Sequence, residues 1–207
     1  MPKQKFYVVW NGRRKGVFTT WAECEKQVKG FVDAQYKAFG TLTEAKAAFK
    51  QNYKDFKGRA SSSGKWKTAE EPPVLPSLCV DAACNGSPGL LEYRGVLTET
   101  GAEVFRAGPF KDGTNNVGEF LAIVHALTWL AKHKKELPVY SDSENAIAWV
   151  MTGQCKTKLS HTAANTLLFA LIHSAENWLA ENELADDSIL KWDTAEWGET
   201  PADFGRK

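Results

Sequence analysis

No stretch of this 207-residue chain approaches the roughly 20 consecutive apolar residues that a membrane helix needs. The longest candidate, Phe120 to Ala131, is broken by His125 and Thr128, so no membrane-spanning segment is expected. The start, Met1-Pro2-Lys3-Gln4-Lys5, is basic but lacks an apolar core and a cleavage site, which argues against export and for a cytoplasmic protein. Cysteine is also sparse. Cys24, Cys79, Cys84 and Cys155 form neither a C-x-x-C pair nor the paired spacing of a zinc site, so reduced thiols are expected rather than a disulfide framework or bound zinc. What remains is a globular chain, 43% apolar, long enough for one or two buried cores.

The net charge of +1 hides an asymmetry. Residues 1–59 hold 13 Lys and Arg against 5 Asp and Glu, a balance of +8, and residues 60–207 hold 13 against 20, a balance of −7. The first part suits a polyanion and the second does not. Between them Gly58-Arg59-Ala60-Ser61-Ser62-Ser63-Gly64 and Glu70-Glu71-Pro72-Pro73-Val74-Leu75-Pro76 are rich in Ser, Gly and Pro and read as a linker that tethers two modules. Trp66 is the exception within it, and reads as a side chain resting on one of the modules.

In the first module Lys5 to Trp10 and Val17 to Thr19 read as strands around a basic turn, and Trp21 to Val28 and Thr43 to Phe49 as helices, the second with Thr41 or Thr43 as N-cap. In the second module Leu78 to Ala83, Glu92 to Leu97 and Glu103 to Ala107 read as an antiparallel meander. Val117, Phe120, Leu121, Val124, Leu127 and Ala131 mark one apolar face of a helix over Asn116 to Lys132. A strand Val139 to Ser141, helices Ser143 to Met151 and Thr162 to Glu183, and a strand Ile189 to Trp192 complete a mixed α/β sheet with helical crossovers.

Four acids fall where such a sheet could gather them. Asp81 lies inside the first strand of the second module and Glu119 in the first turn of the long helix. Asp142 follows the strand Val139 to Ser141, and Asp203 follows the last strand. Taken singly, Glu119 could be a solvated charge, Asp142 a helix cap and Asp203 a tail residue. Asp81 is harder to explain away, because an acid inside the apolar run Leu78-Cys79-Val80-Asp81-Ala82-Ala83 is costly to bury unless paired or coordinated. Few bases lie near these acids in sequence, and a self-repelling carboxylate cluster selects a hard cation such as Mg²⁺ or Mn²⁺.

Val80-Asp81-Ala82-Ala83-Cys84-Asn85-Gly86-Ser87-Pro88-Gly89, Thr114-Asn115-Asn116-Val117-Gly118-Glu119 and Tyr140-Ser141-Asp142-Ser143 together resemble the catalytic core of the ribonuclease HI family. The final Trp197-Gly198-Glu199-Thr200-Pro201-Ala202-Asp203-Phe204-Gly205-Arg206-Lys207 is similar to the C-terminal motif of a bacterial branch of it. The resemblance implies an RNase H-like mixed five-stranded sheet flanked by helices, with Asp81, Glu119, Asp142 and Asp203 as the carboxylates that hold two Mg²⁺ ions, Mn²⁺ being a possible substitute. It implies endonucleolytic cutting of the RNA strand of RNA/DNA hybrids to 5′-phosphate and 3′-hydroxyl ends by two-metal catalysis. Many relatives carry a histidine before the last acid, but none of His125, His133, His161 and His173 falls there; Glu199 takes the place, as in the bacterial branch. Four residues from Asp203, it would share a face with it on a helical turn.

By the same resemblance, the backbone near Cys84 and Gly86 and the side chain of Asn115 would read RNA 2′-hydroxyls, and Thr114, Asn116 and Thr157 would hold a DNA phosphate. Cys84 stands where a serine is frequent, and Glu144 where a polar amide is common.

Phe6-Tyr7-Val8-Val9-Trp10-Asn11-Gly12-Arg13-Arg14-Lys15-Gly16-Val17-Phe18-Thr19-Thr20-Trp21 and Ala34-Gln35-Tyr36-Lys37-Ala38-Phe39 resemble the small α/β hybrid-binding domain found ahead of such cores. That implies Trp21 and Tyr36 against deoxyribose, with Tyr7 and Lys37 at the backbone; Gln35 and Ala38 depart from the more basic pattern of some relatives. The expected organisation is a hybrid-binding domain over 1–55, a flexible linker over 56–75 and a catalytic domain over 76–207, working as a monomer on RNA/DNA hybrid. Two other readings stay open: a noncatalytic hybrid-binding scaffold with an inert nuclease-like domain, and a different nuclease of the same superfold.

Overall fold

The computed structural model describes residues 5–53 and 65–205. The basic start and the Ser-rich part of the linker lie largely outside the described residues, as do Arg206 and Lys207. The chain divides into two compact units, 1–61 and 62–207.

In the first unit β1 (Phe6–Asn11) is the central strand of a three-stranded antiparallel sheet, between β2 (Gly16–Phe18) and β3 (Gln35–Phe39). Alternation sends Val8 and Val9 to opposite faces, yet both are fully buried, because each face carries a helix. Val9 packs with Cys24 and Val28 of α1 (Trp21–Val28), and Val8 with Ala45 and Ala48 of α2 (Leu42–Phe49). Thr20 caps α1, and Thr41 closes α2 with a reciprocal capping box to Glu44. Sequence reading missed β3, a short edge strand that follows Asp33 at φ 56°.

The second unit contains β4 (Leu78–Gly86), β5 (Gly89–Leu97), β6 (Glu103–Gly113), α3 (Asn115–Lys132), β7 (Val139–Ser141), α4 (Glu144–Met151), α5 (Thr166–Glu181), β8 (Ile189–Lys191) and α6 (Thr194–Trp197). Its sheet runs β6-β5-β4-β7-β8; β4 to β6 form the antiparallel meander, and β7 and β8 continue the sheet in parallel. Leu78, Val80 and Ala82 of β4 pack with Val117, Phe120, Ile123 and Val124 of α3 in the main core. The meander strands are longer than the apolar runs suggest, because pairing continues to the Gly86–Gly89 hairpin tip. The helix α5 starts at Thr166 rather than Thr162, because the Asn165 side chain accepts from the Thr162 amide and donates to the Asp112 and Ser160 carbonyls, holding a loop there.

The opposite face of the sheet carries an aromatic cluster. Tyr140, Trp192 and Trp197 meet edge to face, with centroids 4.9 to 5.7 Å apart. Residues 65–75, expected to be the Pro-rich end of a flexible linker, are bound to this cluster. Trp66, in a short 3₁₀ turn, is 4% exposed against Trp192, the Val74 amide donates to the Tyr140 hydroxyl (2.8 Å), and the Trp197 indole donates to the Glu71 carbonyl (2.9 Å). The segment is therefore structural, and a catalytic unit begun at residue 76 would lose it. Trp66→Ala is expected to destabilise the second unit by about 3 kcal/mol, read as a lower melting temperature; an unchanged value would show that the strap contributes nothing.

Candidate active site

The register of the central parallel pair assembles the site. Cys79 is opposite Tyr140, so two residues further along Asp81 comes level with Asp142, just beyond the end of β7. Glu119 descends from α3, which approaches the sheet closely because residue 118 is glycine: a Cβ there would run into the side chains of Leu91 and Ala82. Carboxylate oxygens of Asp81, Glu119 and Asp142 lie within 4.8 Å of one another. Asp203 and Glu199 line the same cleft, of about 740 Å³, without joining that triad.

Three of the alternative readings of these acids fall away. Glu119 is 2% exposed and sits one residue deeper than expected, just past the first turn, since α3 starts at Asn115; it is held by the Ala82 amide (3.1 Å) rather than by the helix N-terminus. The cap of α4 is Ser143, whose hydroxyl accepts from the Ala146 amide, so Asp142 is not spent on capping. Asp203 is no loose tail residue, since the next amide, Phe204, donates to Asp81 Oδ2 (3.1 Å). The expected helical turn joining Glu199 and Asp203 is absent: α6 ends at Trp197, Gly198 takes φ 78°, and a tight turn closed by the Asp203 amide on the Thr200 carbonyl brings both to the cleft.

Crowding of these acids shows in their protonation. Burial, then the charges of Asp142 and Asp203, push the Asp81 carboxyl up to about 7, although the Phe204 amide favours its ionised form. Burial, then Asp81 and Asp142, push Glu119 well above the usual carboxylate range. Glu119 Oε1 accepts from the Ala82 amide and, at 3.4 Å, from Asn115, whereas Oε2 is buried with no hydrogen-bond partner among the described residues. An all-oxygen donor set, mutual repulsion and an orphaned buried carboxylate oxygen together fit a hard divalent cation.

A pH dependence follows. Between about pH 4 and 7 the folded protein keeps the Asp81 proton that the unfolded chain has released, so the Asp81 contribution to stability falls as pH rises through that window, by up to about 1.4 kcal/mol per pH unit, and Glu119, also raised, works in the same sense. His125, whose burial lowers its pKa, works in the opposite sense. The expected result is therefore differential: in chelator, the melting temperature of Asp81→Asn falls less between pH 5 and 7.5 than that of the parent chain. Parallel curves would contradict the electrostatic origin.

Sequence reading missed Arg94. It lies directly across from Asp81 on β5, is 5% exposed, and binds the C-terminal segment. Its signal was of the same kind as that of Asp81, a charge inside a strand. Cys84 and Asn115 line the cleft, while Gly86 stands at the hairpin tip with φ 108°. Thr114 is the N-cap residue of α3 but makes no side-chain capping bond, and Asn116 beside it is exposed. Thr157 lies in the loop that Thr162 and Asn165 tie to Asp112, and Glu144 is exposed in the first turn of α4.

In the first unit Tyr7, Trp21 and Tyr36 form a continuous aromatic row, with centroids 5.5 and 5.8 Å apart. Trp21 and Tyr36 remain 42% and 41% exposed, as expected of a platform rather than a core. Lys37, paired with Val8, belongs to the opposite face by strand alternation. Arg14, Lys15 and Lys26 line a separate basic hollow of about 470 Å³.

Comparison with known proteins agrees with this architecture. The family model described as RNase H matches residues 77–189, more than half of the chain, and the model described as Ribonuclease H1 N-terminal domain matches residues 5–49. The chain belongs to the RNase H family. It is 56% identical over 45 residues to a ribonuclease H of Crithidia fasciculata, a match covering 22% of this chain and 9% of that protein, and 52% identical over 40 residues to mouse ribonuclease H1, covering 19% and 14%. These matches thus span only a small part of those relatives' length. A ribonuclease H of Neorickettsia sennetsu is 27% identical over 117 residues, covering 54% of this chain and 74% of that protein. Among solved structures, RNase H1 from Halobacterium salinarum aligns with 61% of this chain and 91% of its own at 22% identity and a TM-score of 0.40. LC11-RNase H1, solved in complex with RNA/DNA hybrid, aligns with 59% and 88% at 23% identity and a TM-score of 0.36.

No described helix is long and apolar enough to cross a membrane, and the four cysteines are free thiols.

Proposed function

We propose that the chain is an endonuclease that hydrolyses the RNA strand of RNA/DNA hybrids, leaving 5′-phosphate and 3′-hydroxyl ends, and that it acts as a monomer in the cytoplasm. The observation that carries this is the convergence of Asp81, Glu119 and Asp142 within 4.8 Å, beside Asp203 and Glu199, in a chain that also bears an aromatic, basic module. Asp81, Glu119, Asp142 and Asp203 would hold two Mg²⁺ ions, with Mn²⁺ as substitute. What such ions supply when bound is activation of a water for in-line attack and charge stabilisation on the leaving 3′-oxygen.

The chain's own contributions are positioning and discrimination. Glu119 is fixed by the Ala82 amide, and Asp81 by the Phe204 amide, so neither must reorient for the reaction. Asn115 and Cys84 line the cleft, and with the backbone at Cys84 and at Gly86 on the hairpin tip they would read the 2′-hydroxyl that distinguishes RNA from DNA. Thr114, Asn116 and Thr157 would hold a DNA-strand phosphate, which sets register without reading sequence. Glu199, at the cleft edge, would exchange protons with the departing product. Tyr7, Trp21 and Tyr36 of the first unit would hold the hybrid, while Lys37, on the other face of the sheet, stands apart from this row.

The test incubates strand-labelled RNA/DNA hybrid, double-stranded RNA and double-stranded DNA with Mg²⁺, Mn²⁺ or chelator. Metal-dependent cutting confined to the RNA of the hybrid is the expected result. Binding without cutting would support a scaffold instead, and cutting of either homoduplex would point to a different nuclease.

A further inference from the structure

The fourth carboxylate, Asp203, lies on an irregular segment with no strand or helix to fix it, and something else must set its position. Asp81, Arg94 and Arg106 occupy one row across β4, β5 and β6, since Asp81 pairs with Arg94 and Arg94 with Arg106. The C-terminal segment crosses this row. Arg94 Nε donates to the Ala202 carbonyl at 2.7 Å, and Arg94 Nη2 to the Asp203 carbonyl at 2.7 Å. The same guanidinium lies over the Phe204 ring at 4.8 Å, and that of Arg106 at 5.2 Å. Glu103 ties the two arginines together, 3.6 Å from Arg94 and 2.6 Å from Arg106.

We infer that Arg94 is a positioning residue for Asp203: its planar fork clamps the Ala202 and Asp203 carbonyls, one in each of the two peptide groups that flank the Asp203 α-carbon, and thereby fixes where the fourth carboxylate meets the cleft. This rests on the reading of the cleft as a divalent-cation site. The geometry favours arginine in particular, because two carbonyls are engaged by separate nitrogens of one rigid fork that also lies over an aromatic ring; a lysine ammonium carries all its donors on one nitrogen and has no flat face to lay on the ring. Burial of the guanidinium makes these bonds costly to lose, and Arg106 and Glu103 hold it in place. Phe204 serves both ends of the clamp, its ring against the arginines and its amide on Asp81.

The test compares the full chain with Arg94→Lys and Arg94→Met, and with Phe204→Leu, which loosens the clamp without unpairing a buried charge. Two measurements are made. Amide hydrogen exchange in chelator reports on the segment itself: residues 202–205 should exchange at least about tenfold faster in Arg94→Met, with α3 amides unchanged, since a general loss of stability would speed both. Cleavage of hybrid as a function of Mg²⁺ should show kcat down, or the Mg²⁺ requirement up, by about 10- to 100-fold, with KM for hybrid within twofold. Arg94→Lys should fall between the parent and Arg94→Met, and Phe204→Leu should shift both measurements in the same direction even if the arginine variants do not fold. Folded Arg94 variants with parental exchange and parental Mg²⁺ dependence would overturn the assignment, as would a Phe204→Leu chain indistinguishable from the parent. Failure of the parent chain to respond to Mg²⁺ at all would instead refute the underlying reading of the cleft.

Discussion

Asp142→Asn is expected to lower the rate of RNA-strand cleavage by about 10³-fold or more while leaving hybrid affinity within about twofold. Asp142 is one of three carboxylates gathered within 4.8 Å, and an amide there removes a charge and one anionic oxygen without changing shape. The same substitution should raise the melting temperature of the metal-free protein at pH 8, because the Asp142 charge is among the causes that push Asp81 and Glu119 upward. Loss of activity together with gain of stability separates a site residue from a structural one. Single-turnover cleavage, equilibrium binding and thermal melting in chelator check the three parts; near-normal turnover would refute the placement of Asp142 in the chemistry.

Removing residues 1–61 is the second large expected effect. The first unit has its own sheet, two helices and two small cores, so its removal leaves the second unit's core and carboxylates untouched. Tethering the aromatic row and the basic surface to the cleft raises the local concentration of hybrid, and losing it should weaken apparent affinity by about 10²-fold or more, with kcat under saturating substrate preserved. The parent should also show the steeper loss of affinity with salt, since the lost module carries the balance of +8 in residues 1–59. Cutting at residue 61 rather than 75 matters, because the strap bearing Trp66 belongs to the second unit. A truncated chain that stays folded yet has no cleavage at saturating hybrid would contradict this modular behaviour.

Much of the site was legible because its residues offend against their surroundings. Asp81 stands inside an apolar strand, and that conflict is visible in one dimension. Asp142 was readable as the end of a short strand, and the register of β4 with β7 then made the pair. Burial of Glu119 was not readable, since it depends on Gly118 letting α3 approach Ala82 and Leu91 from another part of the chain. Arg94 could have been noticed by the reasoning used for Asp81, but arginines in strands usually extend to solvent, and only the returning C-terminal segment makes this one buried. Likewise Trp66, in a Pro- and Ser-rich context, carries no local sign that Trp192, more than a hundred residues away, will cover it. The strand β3 was missed because five residues on a sheet edge give too short an alternation to stand out.

The gathering of Asp81, Glu119 and Asp142 around divalent cations is tested most directly by anomalous X-ray diffraction from crystals of the full chain soaked in Mn²⁺. Anomalous density between these three carboxylates, lost in Asp142→Asn, is the expected result. Density confined to other surfaces, in a protein that still cuts hybrid in the presence of Mn²⁺, would contradict it.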